Sequence, residues 1–267
     1  MALRSALINV MIAAAQKAAR NLVRDFGEVE NLQVSRKGPA DFVSNADRKA
    51  ERTLYAELHR ARPDYGFVME ESGIVDGPDN SNRWIIDPLD GTTNFLHGIP
   101  HFAISIAHER DRDVVAGVVY EPVYDQLFWA EKGQGAHLNG RRLRVSARTR
   151  LDESLFATGI PFKGTENHEP FGHQLAAVMG ECAGVRRFGA AALDMAYVAA
   201  GRFEGYWETG INMWDIAAGT VLVREAGGFV TEINGGKKFL AKGNVLAATP
   251  DMHGPLGDLV RNSTKAL

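Results

Sequence analysis

Arg83-Trp84-Ile85-Ile86-Asp87-Pro88-Leu89-Asp90-Gly91-Thr92-Thr93-Asn94 reads as a short apolar strand that breaks into an acidic turn. Pro88 disfavours a helical Asp87, so the strand is expected to end there. Gly91 permits a sharp turn and the close approach of a ligand. Thr92 or Thr93 is placed to cap a following helix, whose first backbone N–H groups would then be open to an anion. Asp87 and Asp90 on one turn repel each other by about 4 kcal/mol at ~4 Å and an effective dielectric of ~20. Protonation, a neighbouring Arg or Lys, or a divalent cation must offset that repulsion. Oxygen ligands beside an anion site suit Mg²⁺, which binds through a few carboxylates together with substrate phosphate. Taken alone, the turn also fits a solvated acidic loop with a helix cap.

Working outward, Tyr65–Met69 is a second short apolar run, and it ends in Glu70-Glu71. Two strands ending in acids would lie side by side and aim their ends at one site. Further along, Asp215 follows Trp214 and opens an apolar helical stretch, and Asp47 opens another. Each of these acids has a plain explanation as a helix cap or a charged strand end. They carry meaning as a set.

The periodicity predicts an amphipathic helix from Leu3 to Phe26, with Ile8, Ile12, Ala15, Ala19, Leu22 and Phe26 on one stripe and Lys17, Arg20 and Arg24 off it. Arg4 ahead of a small apolar run faintly resembles a leader peptide, but the stripe continues past it. A second helix is expected over Asp47–Ala61, and a loop over Gly73–Asn82. Residues 102–130 read as three antiparallel strands. After Thr149, strand-like pieces alternate with helical ones, which implies an α/β layer. The chain therefore divides into an α+β half, 1–149, and an α/β half, 150–267.

The 267 residues carry 45% hydrophobic and 24% charged residues and a net charge of −3. Disorder is excluded, and charge alone gives no reason to expect nucleic acid or a membrane. Cys182 is the single cysteine, so an internal disulfide and a zinc-thiolate site are excluded and a reducing, cytoplasmic setting is expected. No nucleophile-elbow serine motif, Walker loop or His-Glu-x-x-His is present.

Asp87-Pro88-Leu89-Asp90-Gly91-Thr92-Thr93-Asn94-Phe95, the preceding Glu70-Glu71 and the later Trp214-Asp215-Ile216-Ala217-Ala218-Gly219 together resemble the signatures of the inositol monophosphatase family. The resemblance spans nearly the whole chain and is strongest to bacterial members, through Ala191–Asp194 and Gly201–Glu208. It implies a layered αβαβα sandwich of the inositol monophosphatase and fructose-1,6-bisphosphatase type, and a Mg²⁺-dependent, lithium-sensitive phosphomonoesterase holding two to three ions per subunit. It implies that Glu70, Asp87 and the Leu89 carbonyl hold a first metal, that Asp87, Asp90 and Asp215 hold a second, and that Glu70 reaches a third through water. Gly91 and Thr92 amides would receive the phosphate, and Asp90, Gly189, Ala191 and Glu208 would face the alcohol. Glu70, or Thr92 paired with Asp47, would orient and deprotonate the attacking water. Lys37 lies in a matching loop, where its charge would screen the metal-site carboxylates. Asn212 stands where the animal enzymes carry His, which leaves the natural alcohol open among inositol 1-phosphate, histidinol phosphate and sugar or nucleotide phosphates. A homodimer is the family's common state.

Arg141, Arg142, Arg144, Arg148 and Arg150 form a basic stretch, expected as a strand with one charged face. A solvated surface explains it. Contact with RNA or the transcription machinery is the sharper reading, because some bacterial members of the resembled family act in transcription complexes.

Overall fold

The computed structural model describes residues 4–26, 34–36, 42–161 and 168–263. Lys37 lies outside the described residues. The chain opens with helix α1 (Ala6–Phe26), the antiparallel pair β1 (Val34–Arg36) and β2 (Phe42–Ser44), and helix α2 (Asn45–Ala61). On α1 the expected stripe is buried from Ile8 to Leu22, with Phe26 half-buried, while Lys17, Arg20 and Arg24 are exposed.

Next come β3 (Tyr65–Met69), β4 (Gly73–Val75), β5 (Asp79–Asp90), the one-turn helix α3 (Thr92–Leu96), β6 (Ala103–Arg110), β7 (Asp113–Glu121), β8 (Gln126–Glu131), β9 (Gly135–Leu138) and β10 (Arg141–Arg142). These strands form an eight-stranded sheet in the order β10-β9-β8-β7-β6-β5-β3-β4. Only β3 and β5 run parallel within it. The second half supplies β11 (Leu155–Thr158), α4 (His168–Met179), β12 (Gly184–Arg186), α5 (Ala191–Ala199), β13 (Gly205–Thr209), α6 (Met213–Glu225), β14 (Phe229–Thr231), α7 (Phe239–Lys242), β15 (Asn244–Ala248) and α8 (Pro250–Ser263). Its five-stranded sheet has the order β12-β11-β13-β15-β14.

The period-two alternation of the strands sorts their side chains into separate cores. Trp84 and Ile86 of β5 pack with α1 and α2, whereas Ile85 between them packs with α5 and α6. In the second sheet Tyr206 faces α5 and α6, while Trp207 packs with α4 and α8. The layers therefore run helix, sheet, helix, sheet, helix, which is the αβαβα sandwich. The change of sheet falls between Arg142 and Leu155, and the central core draws on both halves.

Two local expectations are corrected. Residues 73–82 are not all loop, because β4, with the strand formers Ile74 and Val75, pairs with β3, and residues 79–82 already belong to β5. The basic strand stops after Arg142. Beyond it the Leu143 N–H donates to the Ala136 carbonyl and the Val145 N–H to the Ala226 carbonyl, so the chain crosses toward the end of α6 as a connector. Helix α8 is an element no expectation covered: it carries Gly254, Pro255 and Gly257, while Met252, Leu256 and Val260 keep helical spacing. Among the described residues no helix is long and apolar enough to cross a membrane.

Candidate active site

The parallel pairing of β3 and β5 brings the first acids together. Met69 lies opposite Ile86, and the Glu70 N–H donates to the Ile86 carbonyl at 3.2 Å. Glu70 and Asp87 thus leave neighbouring strands at neighbouring positions. The Glu70 turn is braced from α2: the buried Glu51 carboxylate accepts the Glu71 N–H at 2.8 Å and also the Ser72 hydroxyl. Asp47, one turn earlier on α2, shares that face and is also buried.

Strand β5 does not stop at Asp87. Asp87 pairs with Ser105 and Asp90 with Ala103, with a register shift between them, so Pro88 and Leu89 sit in a bulge. The Asp87 carboxylate accepts the Leu89 N–H at 2.9 Å. Neither threonine caps α3. Gly91 takes that position with φ 95°, and the Thr92 hydroxyl donates back to the Leu89 carbonyl at 2.9 Å. A Cβ on Gly91 would stand 3.0 Å from the His101 carbonyl oxygen and 3.3 Å from Ala190 Cβ, so glycine satisfies both the left-handed backbone and the close approach.

The second half closes on this turn at two points. The Asp90 carboxylate accepts the Ala191 N–H at 3.2 Å and the Ala192 N–H at 2.7 Å, at the start of α5. The Ser105 hydroxyl, opposite Asp87, donates to the Trp214 carbonyl at 3.2 Å and so sets Asp215 beside the turn. Asp215 is not the helix cap. Asn212 precedes α6 in that role, and the Asp215 carboxylate accepts the Asn212 N–H at 2.8 Å. Asn94 ties the same regions together, its amide donating to the carbonyls of His101 at 2.8 Å and Phe188 at 2.7 Å.

As a result, Asp87, Asp90 and Asp215 each bring a carboxylate oxygen within 4.8 Å of the others. At that distance and an effective dielectric of ~20, each charged pair repels by about 3.5 kcal/mol. Burial, and then the charges of Glu70, Asp90 and Asp215, hold the Asp87 acid well above the usual carboxylate range. Burial, and then the charges of Asp90, Glu70 and Glu208, do this to Asp215. Burial pushes Asp90 up to about 7, with Glu208 adding to the shift and the α5 N–H groups opposing it. A hard divalent cation with oxygen ligands fits this donor set, because it removes the mutual repulsion that otherwise keeps protons on the acids.

Glu208 lies on β13, pushed up to about 7 by burial. Gly189 (φ 81°) precedes α5, and Ala191 opens it. The sequence reading missed Glu51, Ser105, Asn94 and Tyr206. Glu51 at helical spacing from Asp47 and Tyr206 at strand spacing from Glu208 were readable signals; Ser105 and Asn94 act through contacts that no local spacing encodes.

A five-layer sandwich whose halves meet over such a carboxylate cluster defines a class, and a family profile described as the inositol monophosphatase family matches residues 3–265. The chain belongs to the inositol monophosphatase family. An inositol-1-monophosphatase of Mesorhizobium japonicum is 60% identical over 244 residues, 91% of this chain and 92% of its own. The crystal structure of the extragenic suppressor protein suhB from Bartonella henselae is 55% identical, covers 96% of this chain and 99% of its own, and superposes with a TM-score of 0.94. Nus factor SuhB of Escherichia coli (strain K12) is 43% identical over 244 residues, 91% of each chain.

Proposed function

We propose that this chain hydrolyses a phosphate monoester, inositol 1-phosphate before others, to the free alcohol and phosphate. The observation that carries the reading is the convergence of Asp87, Asp90 and Asp215 from β5 and α6 beside the start of α5. The name of the 60% identical relative supports inositol 1-phosphate as the substrate.

In this reading Glu70, Asp87 and the Leu89 carbonyl hold one ion, Asp87, Asp90 and Asp215 hold another, and Glu70 serves a third through water. Mg²⁺ bound there, two to three ions per subunit, would supply positive charge for a phosphate dianion, for an attacking water and for the departing alkoxide. Gly91 and Thr92 receive the phosphate through backbone N–H groups. Glu70 orients the attacking water and takes its proton; Thr92 with Asp47 is the second choice, because the Thr92 hydroxyl donates to the Leu89 carbonyl. Asp90, Gly189, Ala191 and Glu208 face the alcohol. The first half, 1–149, brings the turn with Glu70, Asp87 and Asp90, and the second, 150–267, completes the site with Asp215 and Glu208. Lithium inhibition, a homodimer and a cytoplasmic place of action belong to the same reading and rest on the family and the single cysteine.

Phosphate release from inositol 1-phosphate, histidinol phosphate and fructose 1,6-bisphosphate at saturating Mg²⁺ tests the substrate. The highest kcat/KM is expected with inositol 1-phosphate, and a higher value with another ester assigns that ester instead.

A second reading, contact with the transcription machinery or RNA, draws on the name of the 43% identical relative and on the exposed arginines. Arg148 is held by Glu204 and Arg150 by Asp152, so Arg141, Arg142 and Arg144 would carry such a contact. Co-purification with RNA polymerase that survives Asp90→Asn supports it.

A further inference from the structure

Tyr206 and Glu208 are two apart on β13, so both side chains point to the same face of the sheet. The Tyr206 ring is fully buried, and its hydroxyl donates to a Glu208 carboxylate oxygen. On the neighbouring parallel strand β11, Thr158 pairs with Trp207, which brings Gly159 alongside Glu208. A Cβ at Gly159 would stand 1.9 Å from both Cδ and a carboxylate oxygen of Glu208, a distance no side chain can occupy. The Tyr206 hydrogen bond therefore holds the carboxylate, and the missing methyl group at Gly159 leaves the space that it occupies.

We propose that Tyr206 and Gly159 are positioning residues that hold Glu208 as a preset acceptor for the hydroxyl groups of a polyol phosphate. The inference rests on the phosphatase reading above and deepens it, by assigning the discrimination between polyol and hydroxyl-free esters to this pair. One Glu208 oxygen is occupied by the Tyr206 hydroxyl, which leaves the other to accept from the substrate. Asp90 and Asp194 face Glu208 with like charge, and Arg187 attracts it from the exposed side. Without the Tyr206 hydroxyl the carboxylate loses its hydrogen-bond donor among the described residues and is expected to turn toward Arg187. An ester lacking ring hydroxyls does not use Glu208 and is indifferent to the change.

The test compares wild type, Tyr206→Phe and Gly159→Ala with inositol 1-phosphate and with p-nitrophenyl phosphate, at saturating Mg²⁺. Tyr206→Phe is expected to raise KM for inositol 1-phosphate about tenfold, the size of a lost hydrogen bond to a charged group. Its kcat/KM for p-nitrophenyl phosphate and its Mg²⁺ affinity stay at the wild-type values. Gly159→Ala gives the same signature through displacement of Glu208. Should either variant fold poorly, the other carries the test, and Tyr206→Phe in a Glu208→Ala background is expected to add no further loss. Equal losses on both esters, no loss on either, or full additivity with Glu208→Ala overturns the inference. A wild type that releases no phosphate from inositol 1-phosphate overturns the function reading itself, before any variant is compared.

Discussion

The Ser105 hydroxyl donates to the Trp214 carbonyl at 3.2 Å, joining positions 109 residues apart. Ser105 lies opposite Asp87 in the β5–β6 ladder, and Trp214 immediately precedes Asp215. One bond thus sets the separation of two carboxylates carried by different halves of the chain. Ser105→Ala is expected to lower stability by about 1 kcal/mol and Mg²⁺ affinity by about tenfold, the range for partners that orient metal ligands. Calorimetric titration of Mg²⁺ into the stripped variant measures it, and wild-type affinity would count against this role.

Asp90 joins the acidic cluster to the N-terminus of α5 through both carboxylate oxygens. Asp90→Asn replaces one acceptor with an amide group that faces a backbone N–H, at a cost of about 1 kcal/mol. It also removes a buried charge, so the folded state is expected to survive. Turnover of inositol 1-phosphate should fall by at least about a hundredfold, the upper end for groups one step further from a metal. Near-normal kcat at saturating Mg²⁺ would remove Asp90 from the mechanism.

The acids also make stability depend on pH. Burial pushes the Asp90 acid up to about 7 in the folded chain, against about 3.9 when unfolded. Its protonated form is the one the fold favours, so its contribution is complete below about pH 4 and is lost as pH rises through 7. Asp87 and Asp215 shift in the same direction. Divalent ions take the deprotonated forms and release protons. The gap in Tm between Mg²⁺-loaded and metal-stripped protein should therefore widen from pH 5 to pH 8. Scanning fluorimetry across that range reads the gap directly, and one that narrows contradicts the assignment.

Lithium offers a check on the family character of the site. It resembles Mg²⁺ in its preference for oxygen ligands but brings half the charge, so it occupies a site without completing it. Millimolar lithium is expected to inhibit phosphate release. Activity that does not respond to it would argue against the proposed arrangement of ions.

The strand-and-turn stretch 83–95 was legible because its chemistry is local: an apolar run, a proline, a glycine and two aspartates in one turn. The pairing of Glu70 with Asp87 was also legible, since both follow apolar runs of strand length. The bulge at Pro88 and Leu89 was not, because it depends on β6 continuing to pair with Asp90 beyond Asp87. Gly91 displaced the threonines as the cap of α3 because the helix already starts at Thr92, whose hydroxyl turns back to the Leu89 carbonyl. The α5 N–H groups on Asp90 are backbone donors and carry no residue signature. Gly159 gains its meaning only when β11 lies beside β13. Helix α8 shows a legible pattern hidden by its punctuation, with Met252, Leu256 and Val260 spaced correctly between residues that usually break helices.

The most direct test of the central claim is phosphate release from inositol 1-phosphate by metal-stripped protein as Mg²⁺ is added back. No release before addition, followed by saturable release as the Asp87, Asp90 and Asp215 cluster fills, is the expected result. Release at the full rate in a chelator, or none at any Mg²⁺ concentration from a folded protein that binds the ion, would contradict it.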